Sequence, residues 1–271
     1  MKSRLFWLTL LFIDLLIFLQ AIISNNVILL IVVGGIAGVI YFKGYDQLFE
    51  EFDRKMTNVA GGNISQKIVA DQSLDYGHVH IEKDREYLII TPTYMSEAWY
   101  GELSPAQILV VDLETGEQID GSGRLTREIN MHREAYEANE NIKVVYHSHT
   151  PASMFWATIG EDMPNVTEAT SHDLDLGTIK CLPYKPACSK ELADQVHDEL
   201  VKLGDKAANN IFLLNSHGVL ITTNDLHHAT CILETVEWNA EIAYKQAVFK
   251  KLGLIDGYMS KGKLSDGLVS K

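Results

Sequence analysis

The stretch VVYHSHTP, residues Val144–Pro151, indicates more about the fold of this chain than any other segment. Its apolar run Val144–Tyr146 is typical of a short buried strand. Side chains two residues apart on a strand point to the same face, so His147 and His149 can direct their imidazole nitrogens to one point. A first-row metal ion such as Zn2+ requires that arrangement. The pair alone also fits two histidines that bind nothing, so a metal site requires further ligands.

A second pair, His78-Val79-His80, has the same spacing in a different setting. It lies within Tyr76–Asp84, a polar alternating strand that leads into a charged turn, and no metal-site partners accompany it. We interpret it as a solvated hairpin. Four other histidines are interpreted as structural: His172, His197, His227 and His228.

Two separate segments offer further ligands to the first pair. Upstream, Arg127–Tyr136 has helical apolar spacing, with Glu128 near its start. Downstream, the apolar run Ile211–Leu214 predicts a buried strand that delivers His217 at its C-terminal end, where open α/β sheets place their chemistry. Three imidazoles with an open position form the catalytic zinc pattern. The alternative for Glu128 is an acid favoured only by the helix dipole.

Several separated motifs between roughly residues 48 and 250 resemble, in order, those of the class II aldolase/adducin family. The resemblance implies an α/β fold, a three-layer αβα domain over residues 47–271 with a central mixed or antiparallel sheet. The motifs are Gly62–Ser65, Ile90–Thr93, Glu128-x-x-x-His132, His147-x-His149 and Asn215–Gly218.

The resemblance also implies roles for individual residues. His147, His149 and His217 match the family's metal ligands, with Zn2+ expected and Mn2+ or Co2+ as alternatives. Glu128 matches the acid that approaches the metal without substrate and then shuttles a proton. Four residues match positions that hold the anionic end of the substrate: Asn63, Thr93, Thr126 and Arg127.

The implied reaction is aldolase-type carbon–carbon cleavage of a small phosphorylated ketose. Cleavage beside a carbonyl leaves an enediolate, whose charge a divalent cation stabilises, and a nearby carboxylate with a pKa tuned toward neutrality can move the proton. Epimerase, dehydratase and decarboxylase chemistries follow the same logic. A non-catalytic adducin-like membrane scaffold is the other alternative, and the retained ligand set argues against it.

Three positions depart from the family pattern or stay open. Tyr94 stands where glycine usually lets backbone N–H groups approach the anion, and it would crowd that approach. Arg127 replaces a hydroxyl but can bind phosphate or carboxylate through two hydrogen bonds. The expected substrate is therefore a small anion, a sugar phosphate or a hydroxy acid. Tyr258 in the C-terminal tail fits either an exposed residue or a proton donor.

The N-terminus contains two apolar segments, Leu5–Ile23 and Val27–Phe42. At ~1.5 Å per residue they span about 28 and 24 Å, against a hydrocarbon core of ~30 Å. They predict two hydrophobic helices in residues 1–46 that form a membrane hairpin through residues 5–42. A cleaved signal peptide and a pair of helices packed against the enzyme or an oligomer are the alternatives.

Charge sets the expected orientation of that hairpin. Lys2 and Arg4 precede the first segment and Lys43 follows the second, whereas the turn carries no Lys or Arg. The positive-inside rule therefore predicts a membrane-anchored protein with its catalytic domain in the cytoplasm. Asp14 within the first segment costs ~2.5–3.5 kcal/mol on insertion scales.

The remaining composition narrows the class. Residues 47–271 hold 20 Lys and Arg against 34 Asp and Glu, and this acidic balance argues against nucleic-acid binding, which needs a basic surface. Three cysteines without paired spacing fit a reducing compartment. The family resemblance implies a homo-oligomer, with a tetramer as the usual form.

Overall fold

The computed structural model describes residues 56–58, 61–94, 103–174 and 177–255. The predicted pair of hydrophobic helices, the domain boundary at residues 46/47 and Tyr258 lie outside these residues. Among the residues described, no helix combines the length and apolar character needed to cross a membrane.

Twelve strands are present in the described part of the chain. Eight of them form one sheet in the order β10-β11-β12-β7-β1-β4-β5-β6, and the pairs β2-β3 and β8-β9 form two small sheets. The strands are β1 (Asn63–Val69), β2 (Leu74–Tyr76), β3 (Val79–Ile81), β4 (Glu86–Ile90), β5 (Leu109–Asp112), β6 (Gln118–Asp120), β7 (Val144–Ser148), β8 (Met163–Pro164), β9 (Thr178–Ile179), β10 (Cys181–Leu182), β11 (Asn209–Leu214) and β12 (Gly218–Thr223).

Five α-helices and two short 3-10 turns connect these strands within the described residues. The helices are α1 (Ile129–Ala138), α2 (Pro151–Ile159), α3 (Glu168–Leu174), α4 (Lys190–Leu203) and α5 (Leu226–Lys251), and the 3-10 turns are Pro105–Gln107 and Gly204–Ala208.

The large sheet is mixed, as predicted. Strands β10 and β11 are parallel, whereas the other neighbouring pairs run antiparallel. The neighbouring interior strands β7 and β12 are buried along their whole length. A strand buried on both faces reads as a continuous apolar run, which explains why Val144–Tyr146 shows no alternation of polar and apolar residues.

Helices cover both faces of the sheet. Val144 and Tyr146 pack into one apolar cluster with residues of α2 and α5, whereas Val145 packs into a second cluster with residues of α1 and α4. This division follows from the two-residue period of a strand. His147 shares a face with Val145, so its side chain points toward the layer that contains α1.

Short sequence signals mark the two ends of α2 and the start of α4. Helix α2 begins with Pro151, whose fixed φ suits the first helical position, and ends at Gly160 with φ 73°. Helix α4 begins after Ser189, whose hydroxyl accepts the Leu192 N–H at 3.1 Å, an N-cap bond that satisfies one free donor.

The register of three strands brings the predicted site residues to one edge of the sheet. Asn63 on β1 and Leu220 on β12 both pair with His147 on β7. The start of β1, the end of β7 and the turn between β11 and β12 therefore meet. The sequence predicted His217 at the C-terminal end of a strand, and this is confirmed, because His217 lies in the turn after β11. The reason differs, because antiparallel neighbours, and not a row of parallel strand ends, assemble this edge.

Candidate metal centre

Three imidazoles converge at this edge. His147, His149 and His217 each offer one ring nitrogen, and these nitrogens lie within 4.8 Å of one another. The Nε2 atoms of His147 and His149 are 3.0 Å apart. Nitrogen ligands of a tetrahedral Zn2+ at 2.0–2.1 Å lie roughly 3.3 Å from each other. The structure therefore brings together the three histidines that the sequence predicted as ligands.

The hydrogen bonds of His147 leave a lone pair directed at the cluster. Its Nδ1 lies 2.8 Å from the Val219 carbonyl oxygen. A carbonyl only accepts, so Nδ1 carries the proton and Nε2 carries the lone pair. This carbonyl contact fixes the ring orientation, as second-sphere partners of metal-bound histidines do.

Burial keeps two of these imidazoles neutral. It lowers the pKa of His147 to about 4 and that of His149 to about 3, although the Glu128 carboxylate opposes both shifts. Metal ligands must be deprotonated, so both rings are ready to bind at neutral pH. The Nε2 atoms of His147 and His149 lie 3.0 Å apart, and two neutral imidazoles at that separation can bind one divalent cation. The donor set therefore fits such an ion.

The carboxylate of Glu128 lies against the histidine cluster. Its Oε2 is 3.3 Å from His147 Nε2 and its Oε1 is 3.1 Å from His217 Nε2. The Asn63 side-chain amide donates to Oε2 at 2.9 Å. Although Glu128 is the N-cap residue of α1, its side chain makes no capping hydrogen bond. The carboxylate therefore contacts Asn63 and the imidazoles and does not cap the helix.

Glu128 is ionised in this setting. Burial raises the pKa of the carboxyl group, but His147, His217 and the Asn63 amide together lower it below its ordinary value. The sequence predicted a Glu128 pKa tuned toward neutrality, which is wrong, because the pKa is shifted in the opposite direction. Glu128 is thus ionised and holds no proton to donate.

Two glycines make room for the imidazoles. A Cβ on Gly61 would lie 1.8 Å from His149 Nδ1. A Cβ on Gly218 would lie 2.5 Å from the Ser148 carbonyl oxygen and 2.7 Å from a carbon of the His149 ring. Real Cβ atoms do not approach other atoms so closely. The glycine after His217 is therefore required by packing at the cluster.

A cavity of about 220 Å³ opens beside the cluster. Seven of the eight predicted site residues line it, all except the buried His147. The seven are Asn63, Thr93, Thr126, Arg127, Glu128, His149 and His217.

The residues predicted to bind the anion differ in their exposure and in the hydrogen bonds that they already make. Arg127 is exposed, and its guanidinium carbon lies 5.8 Å from the centre of the Tyr94 ring. The Thr93 N–H donates to the Arg124 carbonyl at 2.9 Å, and the Thr126 hydroxyl accepts the Glu128 N–H at 3.3 Å. Arg127 is therefore the exposed cation at the cavity, whereas both threonines are tied by hydrogen bonds in the loops around it.

Tyr94 keeps the backbone shape that glycine favours. Its φ is 58°, in the left-handed region, and its side chain is 46% exposed. That conformation costs a residue with a side chain roughly 1–2 kcal/mol. The turn survives the replacement of glycine, and the ring lies at the wall of the cavity under Arg127.

Sequence reasoning missed other contributors to this region. Ala187 and Cys188, in the loop before α4, also line the cavity, and no motif marked them. Ser65, His132 and Tyr136 form a buried hydrogen-bonded group behind Asn63. The four-residue spacing of Glu128 and His132 was a usable signal, because residues four apart share a helix face.

The other His-x-His pair lies on an exposed hairpin, as predicted. The side chains of His78 and His80 are 83% and 68% exposed. His80 lies 2.9 Å from Asp75 and His78 lies 3.5 Å from Asp120, so each pairs with a separate surface carboxylate.

Comparisons with known proteins agree on one family. Residues 48–244 match the model for the Class II Aldolase and Adducin N-terminal domain. A 5-deoxy-D-ribulose 1-phosphate aldolase of Bacillus thuringiensis is 26% identical over 190 residues, 70% of this chain and 77% of that protein. A 3-oxo-tetronate 4-phosphate decarboxylase of Haemophilus influenzae is 24% identical over 171 residues, 62% of this chain and 76% of that protein.

The fold is also similar to solved structures. The crystal structure of L-fuculose-1-phosphate aldolase from Thermus thermophilus has a TM-score of 0.59 at 18% identity, over 78% of this chain and 96% of that one. At this identity, the likeness establishes a shared fold.

Proposed function

Because this chain belongs to the class II aldolase and adducin family, we propose that it is a divalent-metal-dependent aldolase-type carbon–carbon lyase that acts on a small phosphorylated ketose. One observation carries the proposal: three imidazoles and one ionised carboxylate converge at the end of a cavity. Relatives named as sugar-phosphate aldolases support the choice of substrate class.

The three clustered histidines would bind the metal ion. His147, His149 and His217 would hold the ion, most simply Zn2+, given three nitrogen donors. Bound there, a divalent cation supplies Lewis-acid stabilisation of the charge that develops during carbon–carbon cleavage.

Glu128 accepts the proton of a substrate hydroxyl, the one on the carbon whose carbon–carbon bond breaks. Its carboxylate is ionised and nine-tenths buried, so little water competes with the substrate for its oxygens. The same group then returns the proton to carbon. Base catalysis of this kind contributes about 10²–10⁴-fold to rate.

Arg127 is the residue best placed to bind the anionic end of the substrate. Its guanidinium offers paired donors that match phosphate or carboxylate oxygens. Its stacking on Tyr94 holds the head group beside the cavity. The Asn63 amide is occupied by Glu128 and His132, so its predicted contact with the anion would require it to exchange one of those partners.

A retro-aldol screen tests the proposal. The purified full chain, loaded in turn with Zn2+, Mn2+ or Co2+, is offered ketose phosphates and hydroxy acids, and aldehyde release is followed by coupled reduction. We expect turnover of at least one ketose phosphate that disappears with a chelator. Turnover that survives complete metal removal, or none with any substrate, would reject the proposal.

Decarboxylation is the second candidate, because one relative is named as a decarboxylase of a phosphorylated oxo acid. Loss of CO2 from such an acid also leaves an enolate, and an ion held by the same three histidines would stabilise its charge. Release of CO2 from 3-oxo acid phosphates without aldehyde formation would favour this reaction over aldol cleavage.

We also propose that residues 5–42 anchor the protein in a membrane with its catalytic domain in the cytoplasm. The support is the pair of apolar segments and the lysines and arginine at both outer ends. The full chain should resist carbonate extraction from membranes, and recovery in the soluble fraction would reject the anchor. Light scattering in detergent tests the accompanying proposal of a homo-oligomer.

A further inference from the structure

A buried chain of hydrogen bonds runs from α1 through β1 to the Glu128 carboxylate. The Tyr136 hydroxyl lies 2.8 Å from Ser65 Oγ, and that Oγ lies 2.7 Å from His132 Nδ1. His132 Nε2 contacts Asn63 Oδ1, and Asn63 Nδ2 reaches Glu128 Oε2 at 2.9 Å. His132 and Ser65 are wholly buried, and Asn63 is 6% exposed.

The donors along this chain can be assigned from Glu128 inward. An ionised carboxylate only accepts, so the Asn63 amide must present its NH2 group to Glu128. Its carbonyl oxygen then faces His132. That oxygen also only accepts, so His132 Nε2 must carry a proton.

The other side of the ring is consistent with this assignment. Neutral His132, protonated on Nε2, has a lone pair on Nδ1 that accepts the Ser65 O–H. Burial lowers the pKa of His132 to about 4, so the ring is neutral at pH 7. Each link from Ser65 to Glu128 thus has one donor and one acceptor.

We propose that His132 is a positioning residue for the catalytic base: its Nε2–H locks the Asn63 amide so that the NH2 group faces the Glu128 carboxylate. An asparagine amide can rotate by half a turn and exchange its two ends. The reversed amide would set its carbonyl oxygen against the carboxylate and repel it. The His132 N–H prevents this reversal because it is a donor and so cannot accept a hydrogen bond from an NH2 group.

This inference rests on the proposed function for its catalytic meaning, but the hydrogen-bond polarity is independent of it. His132 touches neither the cavity nor the three clustered imidazoles through any hydrogen bond among the described residues. Its effect is therefore expected in the turnover number, with metal content and KM nearly unchanged.

Two polar, uncharged variants separate the two sides of the ring. The amide of His132→Gln lies where Nε2 was and can still donate to Asn63. The amide of His132→Asn lies where Nδ1 was, so it can meet Ser65 but not Asn63. We expect kcat to fall about 10–100-fold in His132→Asn and to be largely restored in His132→Gln, with one metal ion per chain in both.

A spectroscopic measurement makes the test independent of activity. Nitrogen-15 NMR of the full-length wild-type protein, free of metal, reports the tautomer of His132, assigned by its absence in His132→Gln. We expect a proton on His132 Nε2 and none on His132 Nδ1. The Asn63 side-chain NH2 resonance should shift in His132→Asn and stay near its wild-type position in His132→Gln.

The outcomes separate the two proposals. A proton on His132 Nδ1, a charged ring, or equal kcat losses in the two variants would overturn the positioning role. If the wild type turns over no substrate, the lyase proposal fails, whereas the tautomer and the Asn63 resonance still decide whether His132 sets the amide.

Discussion

The end of β7, where His147 and His149 lie, and the hairpin that carries His78 and His80 share one histidine spacing but differ in their surroundings. The His147 side chain is 1% exposed and faces His149, whereas those of His78 and His80 are 83% and 68% exposed and each meets a separate aspartate. Spacing thus sets only which face the rings share. A central, doubly covered strand with an acid and a third imidazole beside it makes that face a candidate metal site.

The largest expected effect is the loss of a ligand. His149→Ala should abolish both metal retention and turnover, because two imidazoles remain where a catalytic site needs three protein ligands. Metal analysis of the purified protein and the aldehyde assay measure the two effects. His80→Ala is the matched control and should leave both unchanged. Full activity in His149→Ala would mean that the ligands are misassigned.

Replacing Glu128 tests the carboxylate that contacts both His147 and His217. Glu128→Gln keeps the size of the side chain but cannot accept a proton, so kcat should fall about 10²–10⁴-fold, with metal still bound. Glu82→Gln, on the exposed hairpin, is the control and should behave as wild type. A loss of metal in Glu128→Gln would assign this residue to ion binding.

Burial of neutral histidines should make the metal-free protein sensitive to acid. The pKa of His132 is about 4 when folded, against 6.5 for a free histidine, so the unfolded chain binds the extra proton first. The free energy of unfolding should therefore fall as pH drops from about 6.5 to 4, by roughly 2–3 kcal/mol for this residue. Urea titrations of wild type and His132→Gln measure it. An equal fall in both would contradict the assignment.

The smallest expected effect follows from filling the space beside the His149 imidazole. A Cβ at Gly61 would overlap His149, whereas a Cβ at Gly77 on the hairpin meets nothing within 4 Å. Gly61→Ala should therefore weaken Zn2+ binding by about tenfold or more. Gly77→Ala should leave it unchanged, despite the backbone strain at φ 64°. Competition with a chelating dye measures both affinities, and equal affinities would mean that the ring moves without cost.

The predictability of the site varies from residue to residue. His147 and His149 followed from a local period, and Glu128 and His217 followed from flanking helix and strand patterns. The ionisation of Glu128 did not, because it depends on imidazoles that arrive from β7 and from the β11–β12 turn. Ala187 and Cys188 were missed because a loop carries no periodic signal.

The hidden role of His132 shows the same limit. Its spacing from Glu128 places both residues on one helix face, but the partners that give the ring its polarity, Ser65 and Asn63, come from β1. Those contacts exist only once α1 packs on the sheet. No local pattern indicates which nitrogen of a buried imidazole keeps its proton.

The sequence by itself determined the elements and the faces that their side chains share, because strand and helix periods are local properties of the backbone. It thus placed His147 beside His149, and it delivered His217 to a strand end. Only the tertiary structure decided that β1, β7 and the β11–β12 turn meet at one edge. Charge, protonation and hydrogen-bond polarity there depend on groups far apart in the chain, since electrostatic interactions and desolvation act through space.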